Sequence, residues 1–357
     1  MNISVTVDDH KGVFPIAEAR LIARQFSRPK PIIYWVDFLV SISIAWGFFF
    51  LAVTAPPFSM LQIVAVVISS LAHYRGVIFI HELAHLKRGT FTTFRAIWNV
   101  LSGIPLMVPS FSYTGVHIDH HRPGIYGFKE DGEYVPFATG KPWRIIGYLL
   151  QIFALPLLMA ARFIILTPLS YLYPPLRRLL WQRLSSLVID LNYKRPPPAK
   201  QDDESWRLQE FGAFALGAGV IILVAANILP IAVIGVWYAV ALTIFLLNSL
   251  RTLAAHAYRN PGDQLMTRSD EFLDSVNVPG IPFVSALWAP VGLRFHATHH
   301  LFPSMPYHEL KKAHEALIDE LPDNTTYLSA SRKSLFDALS RLWREARAAE
   351  LNGKNAA

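Results

Sequence analysis

Eight histidines stand in three short groups whose spacing is typical of metal ligands on helices. The groups are HELAH, HIDHH and HATHH, and their histidines are His81, His85, His117, His120, His121, His296, His299 and His300. Residues three or four apart share a helix face, so we expect each triad to face one metal ion. Neutral imidazole is the commonest metal ligand in proteins. Eight such ligands exceed the needs of one ion, and the pattern predicts two or more ions.

Three other interpretations of the histidines explain the pattern less well than a site for two or more metal ions. They are a protease, a set of ordinary polar histidines and a metal transporter. HELAH fits the HExxH signature of zinc proteases, but that interpretation uses two of the eight histidines. Ordinary polar histidines would explain one group, not three at ligand spacing. A metal transporter would need polar residues within its membrane spans, and residues 211–250 contain almost none. Bound iron would favour an enzyme, whereas exchangeable zinc would favour a transporter.

The composition indicates an integral membrane protein. The chain has 357 residues, 52% of them hydrophobic and 17% charged, against about 25% charged in soluble domains. Its mean hydropathy is +0.31. There is no cysteine, which excludes disulfides, thiolate metal sites and a cysteine nucleophile. The net charge of +7 fits basic cytoplasmic loops, and we expect no nucleic-acid partner.

The elements that must position the histidines are membrane helices. A crossing needs about 20 apolar residues. The sequence predicts four spans in two hairpins, at about 33–55, 58–80, 211–229 and 231–250. We expect an all-α protein in which these spans carry a cytoplasmic helical cap that holds the histidines.

A further apolar stretch, residues 145–173, is predicted to be interfacial or re-entrant. It contains Arg162, Pro156 and Pro168, and both of its flanks are basic. If the second and third histidine groups share one site, the number of crossings between them is even. The hairpin at 211–250 already supplies two crossings, so we do not expect residues 145–173 to add a third.

The charge distribution predicts the orientation. The hairpin turns near Pro56 and Pro230 carry no basic residue, whereas the termini and residues 87–144 carry many. Basic loops face the cytoplasm. We therefore expect a cytoplasmic N-terminal segment (1–31), a membrane domain (32–316) and an amphipathic helical tail (317–357), with both termini cytoplasmic.

The three boxes resemble those of the membrane fatty acid desaturases and their hydroxylase relatives. The resemblance covers roughly Ile33 to Ala316, with 31 residues between the first two boxes and a membrane pair before the third. The sequence HHLFPSMPYHEL at 299–310 is similar to bacterial acyl desaturases, which implies a bacterial inner membrane rather than the endoplasmic reticulum. HELAH and HIDHHR also resemble sphingolipid desaturases.

The resemblance implies a non-haem site of two iron ions, with O2 as co-substrate, held by the eight histidines and by one more. His256 stands in an Ala-Ala-His context like that of an additional ligand in the family, although Thr252 replaces the family's asparagine four residues earlier. Glu82, Asp119 and Asp131 are candidate acceptors for the free N–H groups of ligating histidines. His10 and His314 lie outside the boxes, and we expect their replacement to cost little stability.

The expected activity is the O2-dependent introduction of a double bond into a lipid acyl chain. The alternative is a hydroxylase or ketolase of the same superfamily that acts on a carotenoid, a sterol or a sphingolipid. Both reactions begin with removal of hydrogen from an unactivated carbon, and the boxes do not distinguish them. No fused cytochrome b5 signature, flavin motif or nicotinamide motif is present. We therefore expect a separate electron donor of the ferredoxin or cytochrome b5 type.

Overall fold

The protein is helical throughout the part of the chain that the structure describes. The computed structural model describes residues 14–87, 89–198 and 203–355. Within these ranges no β-strand forms, although isolated bridges join His256 to Ser275 and Asn277 to Phe295 and Ser331. The all-α fold class is therefore confirmed.

The first half of the chain contains a long hairpin and a series of shorter helices. They are α1 (Ile16–Ala23), α2 (Pro31–Thr54), α3 (Met60–His85), α4 (Thr92–Trp98), α5 (Phe111–His120), α6 (Trp143–Leu150), α7 (Leu155–Ala160), α8 (Thr167–Leu172) and α9 (Pro174–Arg183).

The second half repeats this plan, with a hairpin followed by short helices and a long C-terminal helix. They are α10 (Asp203–Ala225), α11 (Ala232–Ala255), α12 (Arg268–Asp274), α13 (Pro282–Trp288), α14 (His296–Leu301), α15 (Leu310–Glu320), α16 (Thr325–Ser329) and α17 (Leu335–Asn355).

Five helical segments of the described chain are long and apolar enough to cross a membrane. Four of them, Pro31–Thr54, Met60–His85, Ser205–Ala225 and Ala232–Ala255, overlap the predicted spans. The fifth is Leu155–Leu172, where the sequence predicts an interfacial or re-entrant stretch over 145–173. It is not a regular helix, because prolines stand near the starts of α7 and α8 and a π-helical turn, Ala161–Leu166, separates the two.

Both membrane hairpins extend beyond their predicted ends towards the histidines. Helix α3 continues to His85 because the HELAH sequence is itself helical and almost entirely buried. Helix α11 continues through Arg251 and Thr252 to Ala255. The largest hydrophobic cluster joins α2, α3, α4 and α11, with Tyr34, Phe38 and Phe79 fully buried in it. The ends of these helices therefore form a rigid platform for the site.

Loops and short helices close over this platform. The Ala138 amide donates to the Tyr258 carbonyl at 3.1 Å, just before α6, and the Leu187 amide donates to the Ser112 carbonyl at 2.7 Å, just after α9. The segment from α6 to α9 therefore leaves the histidine-bearing region and returns to it. Helix α17 packs on α11 through Leu342 and Ala346, which share a hydrophobic cluster with Leu253.

Candidate metal centre

All nine predicted ligands meet in two neighbouring sets. The five-histidine set consists of His81, His85, His117, His121 and His299. The four-histidine set consists of His120, His256, His296 and His300. Within each set the candidate ligand atoms lie within 4.8 Å of one another. The sequence therefore predicted which residues would come together, including His256 outside the boxes.

Each triad divides between the two sets instead of facing one ion. On α5, His117 and His121 join the five-histidine set while His120 joins the four-histidine set. At about 100° per residue, position i+4 lies about 40° to one side of position i and position i+3 about 60° to the other, so the side chains at i+3 and i+4 diverge by about 100°. On α14 the same spacing gives His296 and His300 to one set and His299 to the other.

This division brings the two sets into contact. The ring centroids of His121 and His300, from different sets, are 4.3 Å apart. Those of His120 and His121, adjacent in the chain, are 5.3 Å apart. The arrangement therefore suits two ions held side by side between α5 and α14.

The spacing of the ring nitrogens fits shared metal ions. Nε2 of His296 lies 2.9 Å from Nε2 of His256 and 3.1 Å from Nε2 of His300. In the other set, Nε2 of His121 and Nε2 of His299 are 3.1 Å apart. Two nitrogens bound at right angles to one ion, each at about 2.1 Å, would stand about 3 Å apart.

Unsatisfied buried nitrogens support the same conclusion. Nε2 of His81, His85, His117 and His120 is buried without a hydrogen-bond partner. Buried polar atoms are nearly always paired, so such a cluster of unpaired acceptors requires an explanation. Coordination of metal ions by these nitrogens would satisfy them. The residues present therefore fit a two-metal centre.

Two carboxylates and a tyrosine orient three of the imidazoles from behind. Asp131 accepts from Nδ1 of His120 at 2.8 Å, and Glu133 lies 3.0 Å from Nδ1 of His117. Tyr126 lies 2.9 Å from Nδ1 of His256 and donates to Asp274 at 3.1 Å. With Nδ1 engaged in this way, Nε2 is left to point its lone pair into the site.

Two of the three residues predicted to accept from histidine N–H groups pair with other side chains instead. Glu82 accepts from the Tyr34 hydroxyl at 2.7 Å, and its nearer approach to Nδ1 of His81, 3.8 Å, is outside hydrogen-bond range. Asp119 pairs with Arg122 at 2.8 Å. Of the three, only Asp131 contacts a clustered histidine as predicted. The contacts of Glu133, Tyr126 and Asp274 behind the site were not predicted from the sequence. Glu133 could have been predicted, because it is a second carboxylate two residues after Asp131 in the same loop.

Burial keeps most of the imidazoles neutral. Desolvation, reinforced by neighbouring histidines, lowers the pKa well below its usual value for His117, His121, His296, His299 and His300. For His120, burial also lowers the pKa, but the Asp131 carboxylate outweighs it and the pKa is raised. Burial raises the pKa of Glu133 to about 7. Neutral imidazole is the form that binds metal.

The fold and this site define a membrane protein with a histidine-rich centre for two metal ions. Residues 57–331 match the family described as fatty acid desaturase, and the chain belongs to that family, whose members are di-iron enzymes. The chain is also 39% identical over 338 residues to a ceramide hydroxylase of Caulobacter vibrioides (strain NA1000 / CB15N), a match that covers 95% of each protein. No solved structure gives a significant match.

Proposed function

We propose that this protein is an O2-dependent di-iron hydroxylase whose substrate is a ceramide or a closely related N-acylated lipid. The observation that carries the proposal is the 39% identity to a ceramide hydroxylase across 95% of both chains. It favours the hydroxylase alternative, with a sphingolipid substrate, over the expected acyl desaturase. The nine clustered histidines supply the metal site that such a reaction needs.

Iron is the metal that this proposal assigns to the two sets. Imidazole ligands suit Zn, Cu, Fe and Ni alike, so the ligand type alone leaves four metals. Membership of a di-iron family supports iron. A bound, reduced iron pair would activate O2 towards an unactivated C–H bond, which protein acids and bases cannot attack.

The chain's own residues hold, orient and shield that centre. Asp131, Glu133 and Tyr126 fix ring orientation through Nδ1. All members of the four-histidine set are buried, which excludes water from this part of the centre. In the five-histidine set, His85 and His121 are partly exposed.

The proposed topology has four crossings, with α6–α9 entering the membrane and returning to the same side. The contacts of Ala138 and Leu187 place both ends of this segment beside the histidines. The Tyr238 hydroxyl donates to the Phe153 carbonyl at 2.9 Å, well inside α11, which favours a re-entrant path over an interfacial one.

A buried ion pair agrees with this path. Arg162, in the middle of Leu155–Leu172, pairs with Glu210, the residue just before the charge-free stretch 211–250. The middle of a crossing helix would instead lie about 15 Å inside the membrane. With basic loops inside, both termini and the metal centre face the cytoplasm of a bacterial inner membrane. A separate ferredoxin or cytochrome b5 type of donor supplies the electrons there.

Lipid analysis of cells that make ceramide tests the proposed reaction. Expression of the chain should yield ceramide with one added oxygen atom, and isotopically labelled O2 should supply that atom. The His299→Ala variant should give no product, whereas Arg344→Ala, at an exposed position outside both sets, should retain activity. A new double bond without added oxygen would instead establish the desaturase. The absence of iron from purified wild-type protein would contradict both the hydroxylase and the desaturase.

A further inference from the structure

Arg251 is a buried cation near the end of membrane helix α11, and it takes no part in holding or orienting the histidines. Its side chain is 7% exposed. Its Nε donates to Asn248 Oδ1 at 3.2 Å and one terminal nitrogen donates to Thr252 Oγ1 at 3.0 Å. Both acceptors are neutral. Among the described residues, no carboxylate forms an ion pair with Arg251 within 4.0 Å.

The position of Arg251 is directly on the membrane side of the metal centre. It precedes His256 by five residues on the same chain segment, a rise of about 7 Å. Helix α11 packs against α3, which in turn packs against α5, and the Tyr74 hydroxyl accepts from the guanidinium. Tyr74 lies two turns before His81 on α3, and the Tyr113 hydroxyl contacts Nδ1 of His117 at 2.9 Å. The guanidinium therefore lies where helices α3, α5 and α11 meet beneath the histidines.

A structural role does not account for this arrangement. A buried charge without a charged partner is costly, and ionisable residues inside membrane helices usually serve a site. Glu133 is the nearest candidate counter-ion, but it hydrogen-bonds His117 and is not within ion-pair distance of Arg251. A cation is also unfavourable next to a site for two metal ions, unless another group compensates for it.

The chemistry of arginine specifies what that group must be. A guanidinium has five N–H donors and no acceptor, so its missing partner is an acceptor oxygen. Asn248, Thr252 and the Tyr74 hydroxyl accept from three of these donors, and the others remain for a ligand. A lipid oxidised in mid-chain would present only CH2 groups beside the metals and would leave the guanidinium unpaired.

We propose that Arg251 binds the polar end of the lipid, through the amide carbonyl and hydroxyl oxygens of a ceramide, and so determines which carbon is oxidised. Because the guanidinium lies beside the metal centre, the new hydroxyl group forms within a few bonds of that polar end. This inference rests on the proposed function, since it concerns the substrate of the same site.

Binding measurements on the purified, iron-loaded full chain test the inference. The probes are a fluorescent ceramide, an unlabelled ceramide as competitor, a free fatty acid, and an alkane of matched length, which has no acceptor oxygen. Arg251→Gln should weaken ceramide binding about ten- to a hundredfold, the usual loss for hydrogen bonds to a charged group. Arg251→Lys should bind with intermediate affinity. Alkane binding should be weak and equal in all variants.

The controls separate a binding role from a structural one. Arg344→Gln, at an exposed position on α17, should bind ceramide like the wild type. Iron content should match the wild type in every variant. Ceramide affinity unchanged in iron-loaded Arg251→Gln would overturn the inference, as would loss of iron in both Arg251 variants.

The position of the new hydroxyl group gives a second readout. Fragmentation of the product should place it near the amide, and a hydroxyl far along either chain would overturn the inference. A wild-type protein that binds the free fatty acid but not ceramide would instead refute the proposed substrate class, and the ceramide assignment of Arg251 with it.

Discussion

Adjacent histidines at the end of α5 lie in different candidate metal-binding sets. His120 belongs to the four-histidine set and His121 to the five-histidine set. The i, i+3, i+4 spacing thus serves to build two sites from one helix turn. A variant at either position should remove a ligand from one site only.

This assignment predicts a specific pattern of iron loss. His120→Ala and His121→Ala should each lose hydroxylation and about half of the bound iron, because each leaves the other set intact. The double variant of His120 and His256, both in one set, should retain as much iron as either single variant. The double variant of His120 and His121 should retain almost none. Metal analysis of purified protein gives these values.

The iron measurements can also contradict the assignment of the histidines to two separate sites. Arg344→Ala serves as the control, because Arg344 is exposed on α17 and lies outside both sets. If the His120 and His256 double variant loses all its iron, the two sets are not separate sites in the way described. If His256→Ala alone retains full iron, His256 is no ligand.

The carboxylate behind His120 predicts a smaller but measurable effect. Asp131→Asn keeps the shape of the side chain but removes the charge that accepts from Nδ1 at 2.8 Å. We expect a 10- to 100-fold loss of metal affinity, the usual result of removing such a partner. Competition with an iron chelator measures it. Glu130→Gln, an adjacent residue whose side chain is 59% exposed, is the matched control and should have no effect.

Spacing predicted the nine candidate ligands, but it could not predict every residue that contacts them. The nine histidines were predictable because ligands on helices recur at fixed intervals. Glu133 and Asp274 come from loops and helix ends, where no periodicity marks a role. The expected low cost of replacing His314 is wrong, because its ring is 5% exposed and contacts the Tyr327 hydroxyl at 2.8 Å. His10 lies outside the described residues.

At the scale of elements, the C-terminal helix α17 supports a ligand that the membrane hairpin presents. His256 follows the last turn of α11 in an extended conformation, so no helical hydrogen bond fixes its backbone. Arg341 from α17 donates to the His256 carbonyl at 2.9 Å. Glu345 in turn pairs with Arg341 at 3.2 Å and with Arg259 at 2.7 Å.

Arg341→Ala should therefore lower iron content without touching any ligand. The free His256 carbonyl would let the loop shift, and we expect iron to fall by about half as the four-histidine set loses its geometry. Arg344→Ala, three residues further along α17 and exposed, is the control. If the two variants bind equal amounts of iron, α17 has no part in positioning His256.

The membrane helices were the most predictable elements and their ends the least. Long charge-free runs such as 211–250 specify spans by composition alone. The helices nevertheless run on into polar sequence, to His85 and Ala255, because the cap buries those polar turns. The prediction that residues 145–173 do not cross the membrane rests on Arg162 and two prolines. The partner of Arg162, Glu210, is 48 residues away, and no local pattern indicates that pairing.

At the scale of the whole molecule, the two hairpins carry one site between them. Helix α3 supplies His81 and His85, while α11 leads directly to His256. Because these ligands come from different hairpins, the metal centre joins the halves of the membrane domain. Such a site can form only if every loop that contributes to it lies on one side of the membrane.

Cysteine labelling tests this requirement, and the absence of cysteine from the chain makes each introduced thiol unique. Leu191, which follows α9, is 77% exposed and should be labelled by an impermeant thiol reagent only from the cytoplasmic side when replaced by Cys. Ser27→Cys, before α2, should behave in the same way. Ala226→Cys, in the turn between α10 and α11, should be labelled only from the opposite side, because one full crossing separates it from the site.

Labelling of Leu191→Cys from the same side as Ala226→Cys would mean that Leu155–Leu172 crosses the membrane. Residues after α9 could then not contact Ser112 and Gly132 as they do here.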